Sequence, residues 1–139
     1  MTGQEHQQKA TRVAIIDDDA SLCRALSRLL TAVGIQPKTY SSAEAFLADE
    51  EASDPGCLLL DVELQGMSGL ELQQRLSTDD RRIPIIFITA HVEPSVRALA
   101  ERGGCTAFLS KTDPGKTVIE AVRHAINPAA PAQLHSTAR

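Results

Sequence analysis

Short apolar runs alternate along this sequence with segments whose apolar residues recur at helical spacing. From residue 12 onward, four of the runs are continuous, at residues 13–16, 57–60, 85–88 and 107–109. Continuous hydrophobicity is what strands need when both faces are covered, so these runs predict a parallel sheet between helical layers. A weaker strand is predicted at Gln36–Tyr40, at a sheet edge, where Pro37 is tolerated.

Helical segments follow the strands, and several carry a signal at one end. The first has five apolar residues at helical spacing, Leu22, Leu26, Leu29, Leu30 and Val33. Gly34 follows as a helix stop. Ser41 with Glu44 predicts a capping box at the second helix. Ser68 with Glu71 predicts another at the third helix.

The last two helices are marked by prolines. Pro94 suits the first turn of the fourth helix, which residues 103–104, two glycines, bring to an end. Asp113 and Pro114 predict the N-cap and first turn of the fifth helix. Five strands alternating with five helices, joined by right-handed crossovers, give a three-layer, doubly wound α/β fold.

The sequence predicts one domain, at residues 12–127. Residues 1–11 are polar and aperiodic, which predicts a disordered arm, and residues 128–139 are rich in Pro and Ala, which predicts a disordered tail. A net charge of −4 argues against a nucleic-acid-binding role, and no apolar run approaches the roughly 18 residues of a membrane span. The N-terminus lacks an apolar leader and the three cysteines are scattered, which predicts a reducing cytoplasm.

Polar residues follow the predicted strands where chemistry is expected in such folds. Residues 17–19 are three aspartates after the first strand, Asp61 follows the third, Thr89 ends the fourth, and Lys111 follows the fifth. Parallel strands bring these groups to one edge of the sheet. Clustered carboxylates favour a hard cation such as Mg²⁺, and a hydroxyl and an ammonium beside them suit a phosphoryl group. A carboxylate can itself accept that group as an acyl phosphate.

This set resembles the receiver domain of two-component response regulators. Its members are Asp17, Asp18, Asp61, Thr89 and Lys111, spaced by 43, 28 and 22 residues from Asp18 onward. The segments SSAEAFL, LLLDVELQGMSGLEL and IIFITAH look like receivers normally joined to a helix-turn-helix output domain. The resemblance covers residues 12–127 and implies a flavodoxin-like fold with strand order 2-1-3-4-5.

The resemblance implies a metal site and an acceptor. Asp61 would be the phospho-acceptor. Asp18 would bind Mg²⁺ (or Mn²⁺) directly, and Asp17 would act through water. The backbone carbonyl of Glu63 would be a further protein ligand.

The resemblance also implies a switch. Lys111 would neutralise the phosphoryl oxygens, and Thr89 would hydrogen-bond to the phosphoryl group and move toward it. Phe108 matches the aromatic switch position. Glu63 and His91 lie where the family tunes dephosphorylation.

The implied role is signalling rather than turnover of a substrate. A sensor histidine kinase or phosphotransfer protein would donate the phosphoryl group from a phosphohistidine, and a repacked face around the fourth helix and fifth strand would bind a downstream target. A homodimer is one option, since related receivers dimerise through this face. The chain is expected to be either a stand-alone receiver or part of a longer regulator.

Two departures from the family pattern affect the predicted site. Thr112 stands where the family usually has Pro after the lysine, and a cis bond there would cost about 2.5–4 kcal/mol, so a trans link is expected. Leu64 and Gln65 replace a usual Met-Pro pair, which predicts a more mobile loop after Asp61.

Two alternatives stay open at this point. One is a receiver that binds partners without phosphorylation, which the two departures favour. The other is a phosphatase of the haloacid dehalogenase type, in which Asp17 of an Asp17-x-Asp19 motif would be the nucleophile. The chain is short for that fold with its cap.

Overall fold

The computed structural model describes residues 12–50, 53–90 and 93–127. Within them, strands and helices alternate. The strands are β1 (Arg12–Ile16), β2 (Gln36–Tyr40), β3 (Cys57–Leu60), β4 (Ile85–Thr89) and β5 (Ala107–Ser110). The helices are α1 (Ala20–Ala32), α2 (Ala43–Ala48), α3 (Gly69–Thr78), α4 (Pro94–Arg102) and α5 (Gly115–Ile126). The predicted arm and tail, together with His91, lie outside the described residues.

The five strands form one parallel sheet in the order β2-β1-β3-β4-β5. This confirms the predicted flavodoxin-like topology, including β2 as an edge strand. The register places Ile16 opposite both Tyr40 and Leu60. It also places Thr89 opposite Ser110. The residues that follow β1, β3, β4 and β5 therefore meet at the carboxyl edge of the sheet.

The core lies on both faces of the sheet, which explains why the strand sequences are continuously apolar. On one face, alternate strand residues such as Ile15 and Leu59 pack with α1 and α5. On the other, Ile16 and Leu60 pack in a second cluster with residues from α2, α3 and α4. Each buried Leu or Ile contributes about 1.5–3 kcal/mol, so the strand ends are held by a well-packed support. No helix in the described part of the chain is long and apolar enough to cross a bilayer.

Predicted signals are confirmed at three helices. Ser68 and Glu71 form a reciprocal capping box at the start of α3. Pro94 occupies the first turn of α4, and Gly103 is its C-cap. Gly34 follows α1 with φ +83°, a conformation that glycine adopts without steric cost.

Two predicted helix starts are wrong. Ser42, rather than Ser41, caps α2 by accepting a hydrogen bond from the Ala45 N–H at 3.0 Å. Glu44 is thereby the second helical residue and is not placed for a capping box. At α5, Pro114 is the N-cap and no side chain caps the helix, because the Asp113 carboxylate accepts the Ser110 N–H instead.

Candidate functional site

Three aspartates converge at the carboxyl edge of the sheet. Asp17 and Asp61 follow the central strands β1 and β3, and each is only 4% exposed, whereas Asp18 is exposed. One carboxylate oxygen from each of the three lies within 4.8 Å of the others. The parallel register of β1 and β3 brings these groups together, although 43 residues separate Asp18 from Asp61.

Lys111 reaches into this cluster from the end of β5. Its Nζ lies 3.1 Å from Asp17 Oδ2 and 3.1 Å from Asp61 Oδ2. The ammonium is therefore shared between the two buried carboxylates. In the described residues no peptide bond is cis, so the link from Lys111 to Thr112 is trans, as expected.

Polar contacts stabilise the turn after Lys111 in the absence of a proline. The Thr112 N–H donates to Ser110 Oγ at 3.1 Å, and the two hydroxyls are 2.8 Å apart. The Asp113 carboxylate accepts from the Ser110 N–H at 3.0 Å. The turn thus holds the Lys111 backbone at the end of β5 while its side chain points into the acidic cluster.

The pKa values of the site residues depend on burial and on the surplus of carboxylates over ammonium groups. Burial raises the pKa of Asp61, and the negative charge of Asp17 adds to this rise to a smaller extent. The Glu63 N–H and the Lys111 ammonium act in the opposite direction, but the pKa stays above its ordinary value. Burial alone would lower the pKa of Lys111, but hydrogen bonds to Asp17 and Asp61 raise it overall. Lys111 therefore stays charged, whereas the ionised form of Asp61 is disfavoured by its surroundings.

The donor set of this cluster fits a hard divalent cation. All of its side-chain ligands are carboxylate oxygens, which Mg²⁺ and Mn²⁺ accept, and three carboxylates beside one ammonium leave a charge of −2. A divalent ion would balance that charge. Asp18, the exposed member, lies on the solvent side, where a cation can keep several of its waters.

The loop after Asp61 is tied back to the acidic cluster. The Glu63 N–H donates to Asp61 Oδ1 at 3.1 Å, and the Gly69 N–H donates to the Val62 carbonyl at 2.9 Å. A Cβ at Gly69 would lie 2.2 Å from the Asp61 carbonyl oxygen, so only glycine fits where α3 begins. The backbone of Glu63 is thus held close to the Asp61 side chain.

The two predicted switch residues lie on neighbouring strands. Thr89 is fully buried at the end of β4, and its carbonyl accepts the Lys111 N–H at 2.9 Å. Phe108 is 9% exposed on β5, with its ring centroid 5.9 Å from that of Phe87. The guanidinium of Arg97, on α4, lies 5.7 Å from the Phe108 ring centroid.

Sequence reasoning missed three contacts near the site. Arg97 covers the Phe108 ring, Cys23 Sγ donates to the Asp17 carbonyl at 3.3 Å, and the Glu44 carboxylate accepts from the Met67 N–H at 2.8 Å. The position of Arg97 on α4 relative to β5 carries no local signature. Glu44 carries one local signal, its spacing of three residues from Ser41, but that spacing predicts a capping box rather than a contact with a distant loop.

The fold and this edge cluster together define a signalling domain of the two-component type. The chain matches the response regulator receiver domain family over residues 13–123 and belongs to that family.

Similar proteins include a response regulator and a transcriptional regulatory protein. The response regulator protein TodT of Pseudomonas putida is 36% identical over 126 residues, which cover 90% of this chain and 56% of TodT. The transcriptional regulatory protein FixJ of Azorhizobium caulinodans is 34% identical over 111 residues, covering 80% of this chain and 53% of FixJ. The chain therefore spans about half the length of these curated relatives.

A solved structure is similar in both sequence and fold. The crystal structure of FixJ-N superposes with a TM-score of 0.75 at 33% identity, covering 83% of this chain and 92% of that one.

Proposed function

We propose that this receiver accepts a phosphoryl group on Asp61 from a phosphohistidine of a sensor histidine kinase or phosphotransfer protein. A carboxylate oxygen of Asp61 forms the new bond to phosphorus while the phosphorus–nitrogen bond of the donor breaks. The electron pair of that bond returns to the imidazole nitrogen. The observation that carries the proposal is the 3.1 Å contact of Lys111 with both Asp61 and Asp17, beside Asp18.

The charged residues of the site divide between metal binding and charge neutralisation in this proposal. Asp18, Asp61 and the Glu63 carbonyl would hold Mg²⁺ or Mn²⁺ directly and Asp17 would hold it through water, and the ion would supply positive charge to the phosphoryl oxygens. Lys111 keeps its proton and exchanges its contact with Asp61 for one with a phosphoryl oxygen. Catalysis of phosphoryl transfer rests almost entirely on positioning the reactants and on preorganised charge of this kind.

Phosphorylation then changes the charge balance at the sheet edge. The phosphoryl group carries about 1.5 to 2 negative charges in place of the single charge of the Asp61 carboxylate, and it brings new acceptor oxygens next to Thr89 and Lys111. Thr89 donates its hydroxyl to these oxygens, and the change passes to Phe108 and the face formed by α4 and β5. This face shifts between two populations and binds a downstream protein target or a second copy of the chain.

A small phosphorus–nitrogen donor tests the proposal without a known partner. Phosphoramidate is incubated with the wild type and with Asp61→Asn, with and without Mg²⁺, and the intact mass is measured. The wild type is expected to gain one phosphoryl group only with Mg²⁺, and Asp61→Asn none. Equal labelling of both proteins would contradict Asp61 as acceptor, and an unlabelled, folded wild type would favour a binding-only receiver.

A further inference from the structure

The middle of the loop after Asp61 is held by one side chain from a different part of the chain. Glu44, in the first turn of α2, accepts the Met67 N–H at 2.8 Å, across 23 residues of sequence. Among the described residues, this is the only hydrogen bond that residues 64–67 make. The rest of the loop is anchored at its two ends, by the Glu63 N–H on Asp61 and by the capping box of α3.

Gly66 gives a second, independent sign of this close approach. Its φ is +78°, and a Cβ placed on it would lie 2.6 Å from Glu44 Oε2. The loop backbone therefore comes close to the carboxylate in a conformation that L-residues other than glycine rarely adopt. Glu44 has no cation partner among the ion pairs of the described residues, so its carboxylate serves the loop alone.

We infer that Glu44 is a positioning residue for the metal site, because it fixes the loop that carries the Glu63 carbonyl. With the Glu63 N–H on Asp61 and the Met67 N–H on Glu44, the segment between them is pinned at both ends. A carbonyl held in place before the cation binds loses less conformational entropy on binding. This inference rests on the proposed function, which makes that carbonyl a ligand.

The test compares Mg²⁺ binding in matched glutamate variants. Glu44→Ala removes the acceptor, Glu44→Gln keeps a neutral acceptor oxygen, and Glu120→Ala removes an exposed glutamate from α5 as the control for charge. Isothermal titration calorimetry gives the Mg²⁺ affinity, and amide exchange by NMR reports on Met67. Circular dichroism checks that every variant is folded.

Glu44→Ala is expected to weaken Mg²⁺ binding by about 3- to 10-fold, the loss that one hydrogen bond produces, and to speed exchange of the Met67 amide. Glu44→Gln is expected to weaken it by about 2- to 3-fold, since a hydrogen bond to a neutral acceptor is about half as strong. Glu120→Ala is expected to match the wild type. This ranking, together with the exchange at Met67, would support the positioning role.

Other rankings overturn the inference. If Glu44→Ala binds Mg²⁺ as tightly as the wild type, Glu44 does not position the loop for metal binding. If Glu44→Ala and Glu44→Gln weaken binding equally while Met67 stays protected, the effect is one of charge.

Failure of the proposed function gives a different pattern. If the wild type binds Mg²⁺ but accepts no phosphoryl group, the proposed function fails, while the Mg²⁺ affinities of the variants still test the role of Glu44. A wild type that binds no Mg²⁺ overturns both.

Discussion

At the scale of single residues, the site depends on a buried acid in unfavourable surroundings. Asp61 is 4% exposed, shares one ammonium with Asp17, and has a raised pKa because of burial and the nearby negative charge. Surroundings that disfavour an ionised carboxylate favour its protonation or the approach of a cation. In the proposed function, this unfavourable environment of the Asp61 carboxylate would favour the binding of a cation.

The first prediction is that Asp61→Asn stabilises the metal-free protein at neutral pH. Because the pKa of Asp61 is raised in the folded state, its contribution to stability declines as pH rises from below the ordinary value of 3.8 through the folded pKa. Asparagine carries no charge, and its single carbonyl oxygen keeps one of the two hydrogen bonds that the carboxylate accepts from Lys111 and the Glu63 N–H. Thermal unfolding by circular dichroism should give a higher Tm for the variant at pH 7, and a difference that shrinks below pH 3.8.

Mg²⁺ should reverse the order of the two proteins. An ion at about ten times its Kd stabilises the wild type by about 1.4 kcal/mol, and Asp61→Asn should lose most of this gain. Asp80→Asn is the control, since Asp80 is an exposed partner of Arg82. A lower Tm for metal-free Asp61→Asn than for the wild type at neutral pH would contradict this account of the site.

At the scale of elements, the loop between β3 and α3 shows where sequence reasoning succeeds and fails. The Ser68–Glu71 box was predictable because both partners lie within one turn of α3. The role of Glu44 was not, because its partner Met67 lies 23 residues away and depends on how α2 meets the loop. Local patterns identify local contacts, and only the fold supplies the distant ones.

The second prediction concerns Gly66. Gly66→Ala places a Cβ against Glu44, whereas Gly34→Ala meets nothing within 4 Å, although both glycines have positive φ. Each alanine should cost about 1–2 kcal/mol in backbone strain, and Gly66→Ala about 1 kcal/mol more because it displaces the carboxylate.

Combining Gly66→Ala with Glu44→Ala should remove the extra cost, so that the glycine substitution then resembles Gly34→Ala. Urea unfolding of the four variants gives these free energies as a double-mutant cycle. An identical cost of Gly66→Ala with and without Glu44 would show that the two residues do not interact.

At the scale of the whole molecule, the parallel sheet makes the site. The sequence alone could predict the strand content, because both faces of β1, β3 and β4 are buried. Periodicity does not determine that β1 lies between β2 and β3, an order supplied by the family resemblance and found in the structure. The contact between Arg97 and the Phe108 ring could not be predicted from the sequence, since Arg97 belongs to a helix that packs against β5 from another part of the chain.

The third prediction is a one-sided response to phosphorylation. Thr89 ends β4 and Lys111 directly follows β5, whereas the edge strand β2 lies on the opposite side of the sheet from β5. Hydrogen exchange measured by mass spectrometry should change in residues 94–110 after phosphorylation and stay constant in Gln36–Tyr40. An equal change across both regions would indicate a global change in stability rather than a local switch.

The central claim, that Asp61 is the phospho-acceptor, is tested most directly by locating the phosphoryl group. Borohydride reduces an aspartyl phosphate to homoserine, which marks the modified residue for peptide sequencing by mass spectrometry. After phosphoryl transfer with Mg²⁺, the account predicts homoserine at position 61 and unmodified aspartate at positions 17 and 18. Homoserine at position 17 would contradict the account and favour the phosphatase-like nucleophile instead.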